Sequence, residues 1–131
     1  MRYDGDGRHR VLRKGERWYG VDISTEQQNE VTIVAAGGRL DVMGAPELET
    51  SCKKLIAEGA KRLLLDMASV EYISSAGLRT LLVLAKAMKI ADGTLVLCNL
   101  TAAVREVMEI SGFDTILSVT PDRSSALDLF A

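Results

Sequence analysis

From Val21 onward, apolar and polar positions along the chain follow two alternating rhythms. Val21-Asp22-Ile23-Ser24-Thr25-Glu26 alternates with period two, which predicts a half-buried strand. Val31-Thr32-Ile33-Val34-Ala35-Ala36 predicts a second strand, ended by Gly37-Gly38. The polar Gln27-Gln28-Asn29-Glu30 between them makes the pair a hairpin. After Arg39-Leu40-Asp41 the rhythm becomes helical. Leu48, Cys52, Leu55 and Ile56 share a face, Pro46 suits the first turn, Glu47 and Glu49 favour the positive end of the dipole, and Gly59 is a natural stop. Lys61 to Asp66 is apolar on both faces, which predicts a short central strand.

A second helix follows Ser75, with Leu78, Leu81, Leu82, Ala85 and Met88 on one stripe. Val83, Ala87 and Ile90 form an additional apolar stripe, which is either core, the reading we favour, or a partner surface. Asp92-Gly93 is a turn, and Thr94 to Cys98 a strand. Asn99 or Thr101 can cap a helix whose core face is Val104, Val107, Met108 and Ser111, with Gly112 ending it. A last short strand is expected around Ile116-Leu117. Thr120-Pro121, a cap and a first-turn proline, then opens a terminal helix carrying Ala126, Leu127, Leu129 and Phe130.

The order is that of an α/β fold. Alternating β and α units imply right-handed crossovers, so the expectation is a mostly parallel central sheet of about five strands, an initial antiparallel hairpin and about four helices. Residues 21–131 form one domain in this reading. Residues 1–20 lack periodicity, contain Gly5, Gly7, Gly15 and Gly20 among charges, and are expected to be a flexible basic extension, with a short ordered piece around Trp18-Tyr19.

Composition narrows the function classes. Hydrophobic residues make up 47% of the chain and aromatics only 5%, so the core is aliphatic and base-stacking platforms are not expected. The net charge of −2 is unevenly spread: residues 1–20 carry six basic and three acidic side chains, the remainder ten and fifteen. An acidic domain repels phosphate backbones, which argues against direct nucleic-acid binding. Cys52 and Cys98 fall in apolar-periodic segments and are expected to be buried thiols in a reducing compartment. With His9 the lone histidine and no Cys-x-x-Cys, neither a zinc site nor a histidine-based triad is expected. No apolar run approaches the ~18 residues of a membrane span, and the N-terminus has no secretory h-region, so a cytoplasmic protein without membrane insertion is expected.

No phosphate-binding loop, nucleophile elbow or paired carboxylate stands out, so neither cofactor nor catalytic residue is assigned and the protein is not expected to be an enzyme. What remains is Val70-Glu71-Tyr72-Ile73-Ser74-Ser75-Ala76-Gly77-Leu78-Arg79, where two serines sit at a helix start. A hydroxyl there can cap the helix, and a phosphoryl group is well accommodated at the positive end of the dipole.

The block from Lys61 to Leu82 resembles the core of the STAS family of bacterial anti-sigma factor antagonists. Asp66, Val70, Tyr72-Ile73 and Gly77-Leu78 match the family pattern, and Ser75 falls on its phosphorylatable serine. Gly38-Arg39-Leu40-Asp41 with the Pro46 helix, and Val104-Arg105-Glu106-Val107 through Ser111-Gly112-Phe113, resemble its first and third helix regions. Two positions depart from the pattern. Ala76 replaces a Ser/Thr, and Ser74 stands where the family usually has aspartate, which makes Ser74 an alternative acceptor.

The resemblance implies a binding module that docks, unphosphorylated, on an anti-sigma factor which is also an ATP- and Mg²⁺-dependent serine kinase. Phosphorylation at Ser75 would switch it off, and a metal-dependent serine phosphatase would restore it. The implied contact surface is Arg39, Leu40, Asp41, Ser74, Ala76, Gly77, Leu78 and Arg79, with Glu71 and Asp41 as acids near the new charge. A monomer is expected. The alternative implied reading is an unphosphorylated STAS subunit of an ABC-type membrane transport assembly, in which Ser75 is only a helix cap.

Overall fold

The computed structural model describes residues 2–3, 9–10 and 21–131. The order is β1 (Arg2–Tyr3), β2 (His9–Arg10), β3 (Val21–Gln28), β4 (Val31–Leu40), α1 (Ala45–Ala57), β5 (Arg62–Ile73), α2 (Ser75–Ile90), β6 (Thr94–Cys98), α3 (Ala102–Ser111), a single 3-10 turn (Phe113–Thr115), β7 (Ser118–Thr120) and α4 (Arg123–Phe130). The strands form one mixed sheet in sequence order. β3 and β4 are antiparallel, and β4 through β7 run parallel. The five-strand body with its opening hairpin is the one expected. The expected flexible extension, and the ordered piece at Trp18-Tyr19, lie outside the described residues. Within 1–20 only β1 and β2 are described, and His9 pairs with Ile23 on the edge of β3.

Each parallel crossover places its helix on the same face of the sheet, because all share one hand. The main core therefore lies between the sheet and α1, α2 and α3, and includes Val34, Leu40, Leu48, Leu63, Leu65, Leu81, Leu97 and Met108. The opposite face holds a smaller cluster of Val31, Ile33, Leu64, Val96 and Cys98, closed by Ala126, Leu127 and Phe130 of α4. Alternation along β5 explains both: Leu63 and Leu65 face one layer and Leu64 the other. Burial pushes the Cys52 thiol up to about 12 and the Cys98 thiol up to about 11, so both behave as packed hydrophobes.

The structure corrects several expected boundaries. β4 does not stop at Gly37-Gly38 but runs on to Leu40, and β5 runs past Asp66 to Ile73. The two continue side by side through bulges, with Arg39 opposite Tyr72 and Leu40 opposite Ile73. The glycines permit this. A Cβ on Gly37 would come within 3.0 Å of Ser69 Cβ, and Gly38 has φ +96°. The last strand is Ser118–Thr120 rather than Ile116-Leu117, and α4 is capped by Asp122, not Thr120. Ile90 is 86% exposed and Val83 and Ala87 are only half-buried, so the additional α2 stripe is not core.

Candidate functional site

The site is the corner where the extended ends of β4 and β5 meet the start of α2. Ser74 is the N-cap of α2: its Oγ accepts from the Gly77 N–H at 3.4 Å, and the backbone is extended there. The same hydroxyl donates to the Leu40 carbonyl at 3.3 Å, beside the Ser74 backbone N–H donating to that oxygen at 2.9 Å. Ser74 is thus half-buried and fully engaged, and Ser75, one residue on, is exposed at the first helical position. The cap role expected of Ser75 in the transport-subunit reading belongs to Ser74.

Gly77 makes the corner possible. A Cβ there would lie 2.4 Å from the Leu40 carbonyl oxygen and 2.6 Å from Ile73 Cγ1. The helix start therefore presses directly on the end of β4. Leu40, Gly77 and Leu78 are buried in this junction. Of the expected contact residues, these three thus lie beneath the exposed surface of the corner.

The exposed part carries Arg39, Ser75, Arg79 and the half-buried Asp41 and Ala76. Arg39 lies over the Tyr72 ring at 4.3 Å from its centroid, an arrangement set by their opposition across the sheet. Its Nε also reaches Asp41 Oδ2 at 3.3 Å. Asp41 Oδ1 accepts from the Met43 and Gly44 N–H groups, folding the loop into α1. Burial alone would raise the Asp41 carboxyl, but these N–H groups and the Arg39 guanidinium outweigh it and hold it below its usual value.

Two exposed apolar side chains were missed in the sequence: Val42, 73% exposed, and Met43, 58% exposed. Tyr72 joins them at 41%. Val42 borders a shallow groove between α1 and α2 whose other walls include Ala45, Pro46, Ala76, Arg79 and Thr80. The signal was an apolar pair just before Pro46 that fits no helical stripe. Glu71 is exposed on β5 near its end.

A second polar cluster fastens α4 to the sheet. Asp66, almost fully buried, accepts from Arg123 Nε at 2.6 Å, the Ala68 N–H at 3.0 Å and Asn99 Nδ2 at 3.1 Å. Arg123 Nη1 also reaches Glu26 at 2.8 Å. No trio of potential metal ligands occurs among the described residues, and no described helix is long and apolar enough to cross a membrane.

The sequence matches the STAS domain family over residues 22–126. It is 37% identical over 110 residues to BtrV of Bordetella bronchiseptica, a candidate anti-sigma factor antagonist, covering 84% of this chain and 95% of that protein. The fold is similar to an anti-sigma factor antagonist from Mycobacterium paratuberculosis, with TM-score 0.77, 24% identity and 84% and 93% of the two chains covered. It is also similar to the phosphorylated form of the Bacillus cell fate determinant SpoIIAA, with TM-score 0.64, 18% identity and coverage of 83% and 99%. With most of its length inside the family match and its two longest strands meeting at the serine corner, this chain belongs to the STAS domain family.

Proposed function

We propose that the chain is an anti-sigma factor antagonist controlled by phosphorylation of Ser75. Unphosphorylated, it docks through the corner of Arg39, Val42, Met43, Tyr72, Ser75 and Arg79 on an anti-sigma factor that doubles as a serine kinase. The observation that carries this reading is the division of labour between the serines: Ser74 is held as the cap, and Ser75 is presented at the helix start beside exposed apolar side chains. The likeness to BtrV and to antagonist folds supports it.

In the switching step the Ser75 Oγ attacks the γ-phosphorus of ATP held by the partner. A new O–P bond forms, the bridging bond to ADP breaks, and the hydroxyl proton passes to a base on the kinase. The product adds about −1.5 to −2 charge at neutral pH, which opposes burial of the corner against a partner. A metal-dependent phosphatase then hydrolyses the ester. The Ser74 hydroxyl would have to abandon both its bonds to serve as acceptor, so it is a poor substrate.

The test is intact-mass analysis and site mapping after incubation in host lysate with ATP and Mg²⁺, comparing wild type with Ser75→Ala. Phosphate on Ser75, lost in the variant, supports the reading. Phosphate on Ser74 moves the acceptor by one residue and refutes the division of labour. No phosphate, under conditions that modify a known acceptor, refutes the switch and favours a constitutive binding role.

A further inference from the structure

The serine corner holds an exposed cation, Arg79. Arg79 is exposed and, among the described residues, makes no hydrogen bond or ion pair. It follows Ser75 by four residues on α2, so the two side chains stand one above the other on the same helix face. Glu49, the acid across the groove, feels the Arg79 charge, which helps to lower its carboxyl, but its direct bonds go elsewhere. Glu49 of α1 is held by Lys53 Nζ at 3.0 Å and by the Thr80 hydroxyl at 3.3 Å. Arg39, the other cation of the corner, is committed to Asp41 and to the Tyr72 ring.

Resting on the phosphorylation of Ser75 proposed above, we infer that Arg79 is the internal partner of the phosphoryl group, turning it along α2 toward the α1–α2 groove. Phosphorylation then does more than add repulsion. The phosphoryl group and the guanidinium together cover the groove mouth bordered by Val42, Ala76 and Thr80, so that a partner side chain loses that recess. An anion N-terminal to a cation at this spacing is the favoured orientation on a helix. Arginine suits it further because its planar fork can meet two phosphate oxygens. The charged and titratable groups on the segments that meet at the site include Arg39 and Asp41 from the β4–α1 segment, Glu49 and Lys53 from α1, and Glu71 and Tyr72 from β5. Each is constant between the variants compared below.

The experiment uses full-length chain with phosphoserine installed at position 75 during translation, which makes it independent of whether any kinase modifies Ser75. The second ionisation of the phosphoserine is followed by ³¹P NMR titration in wild type, Arg79→Lys and Arg79→Gln. Pairing favours the dianion, so Arg79→Gln is expected to raise that pKa by about 0.3 unit, the size of an exposed helical ion pair. Arg79→Lys is expected to lie between the two, nearer wild type, since charge is retained and the fork is lost. At raised salt the wild-type and Arg79→Gln values are expected to converge. Identical titrations of wild type and Arg79→Gln at low salt overturn the inference while leaving phosphorylation at Ser75 untouched. Absence of Ser75 modification in lysate overturns the functional proposal while leaving the titration result standing.

Discussion

Replacing Gly77 by alanine sets two known effects against each other. Gly77 is the third residue of α2, and alanine in a helix is favoured over glycine by about 1 kcal/mol. The added Cβ, however, would sit 2.4 Å from the Leu40 carbonyl oxygen, 2.6 Å from Ile73 Cγ1 and 3.0 Å from Leu40 Cβ. All three neighbours are backbone or buried core atoms, so relief requires the helix start to back away from β4. That movement stretches the Ser74 N–H and Ser74 hydroxyl bonds to the same Leu40 oxygen, now 2.9 and 3.3 Å. Overpacking of this kind costs about 1–3 kcal/mol, and each weakened hydrogen bond up to about 1 kcal/mol. After the propensity gain, the net expectation centres on a loss of about 2 kcal/mol. With a urea m-value of about 2 kcal/mol/M, the midpoint falls by about 1 M at unchanged m. The assay is urea unfolding followed by far-UV circular dichroism at neutral pH. A midpoint equal to or above wild type refutes the reasoning, because it means the contact with β4 yields freely and only helix propensity is felt.

The remaining predictions concern the two polar clusters. Ser74→Ala is expected to cost about 1 kcal/mol through loss of the cap, and Ser75→Ala less than about 0.5 kcal/mol; equal losses in urea unfolding count against the cap assignment. For Asp66, burial alone raises the carboxyl, but the Arg123, Ala68 and Asn99 donors outweigh it and hold it below the usual range. A folded-state value below the unfolded one means the unfolded chain binds more protons in acid. The contribution is present above about pH 4, the unfolded carboxyl's range, and is lost as pH falls through the folded value. Arg123→Ala is expected to cost about 1–2 kcal/mol at pH 7 and to flatten the acid loss of stability between pH 5 and pH 3; an unchanged acid slope by urea titration refutes the role given to the pair.

Much of this architecture was legible because it is written in local periodicity. The period-two pattern of β3, the helical stripes of α1 and α3 and the apolar run at Leu63 to Leu65 each report which side chains leave water, and a strand or helix satisfies only one spacing. The serine pair at the head of α2 was equally visible, because capping chemistry is local.

Pairing across the sheet was not local. Nothing within Ala35 to Leu40 alone shows that the glycines carry β4 onward instead of ending it; that depends on β5 offering Ser69 to Ile73 as a partner. The same pairing sinks Leu40 into the core and brings Arg39 onto Tyr72. It also makes Leu40 the acceptor that engages Ser74, so the choice between two adjacent hydroxyls lay in a residue 34 positions away. Likewise, the Asp66–Arg123 bond spans 57 positions, and Ile90 fits a helical stripe yet lies open. The sequence by itself determined which elements form and that two hydroxyls stand at a helix start. The tertiary structure alone decided which hydroxyl is presented, because burial and hydrogen-bond partners across a sheet depend on contacts that no single segment contains.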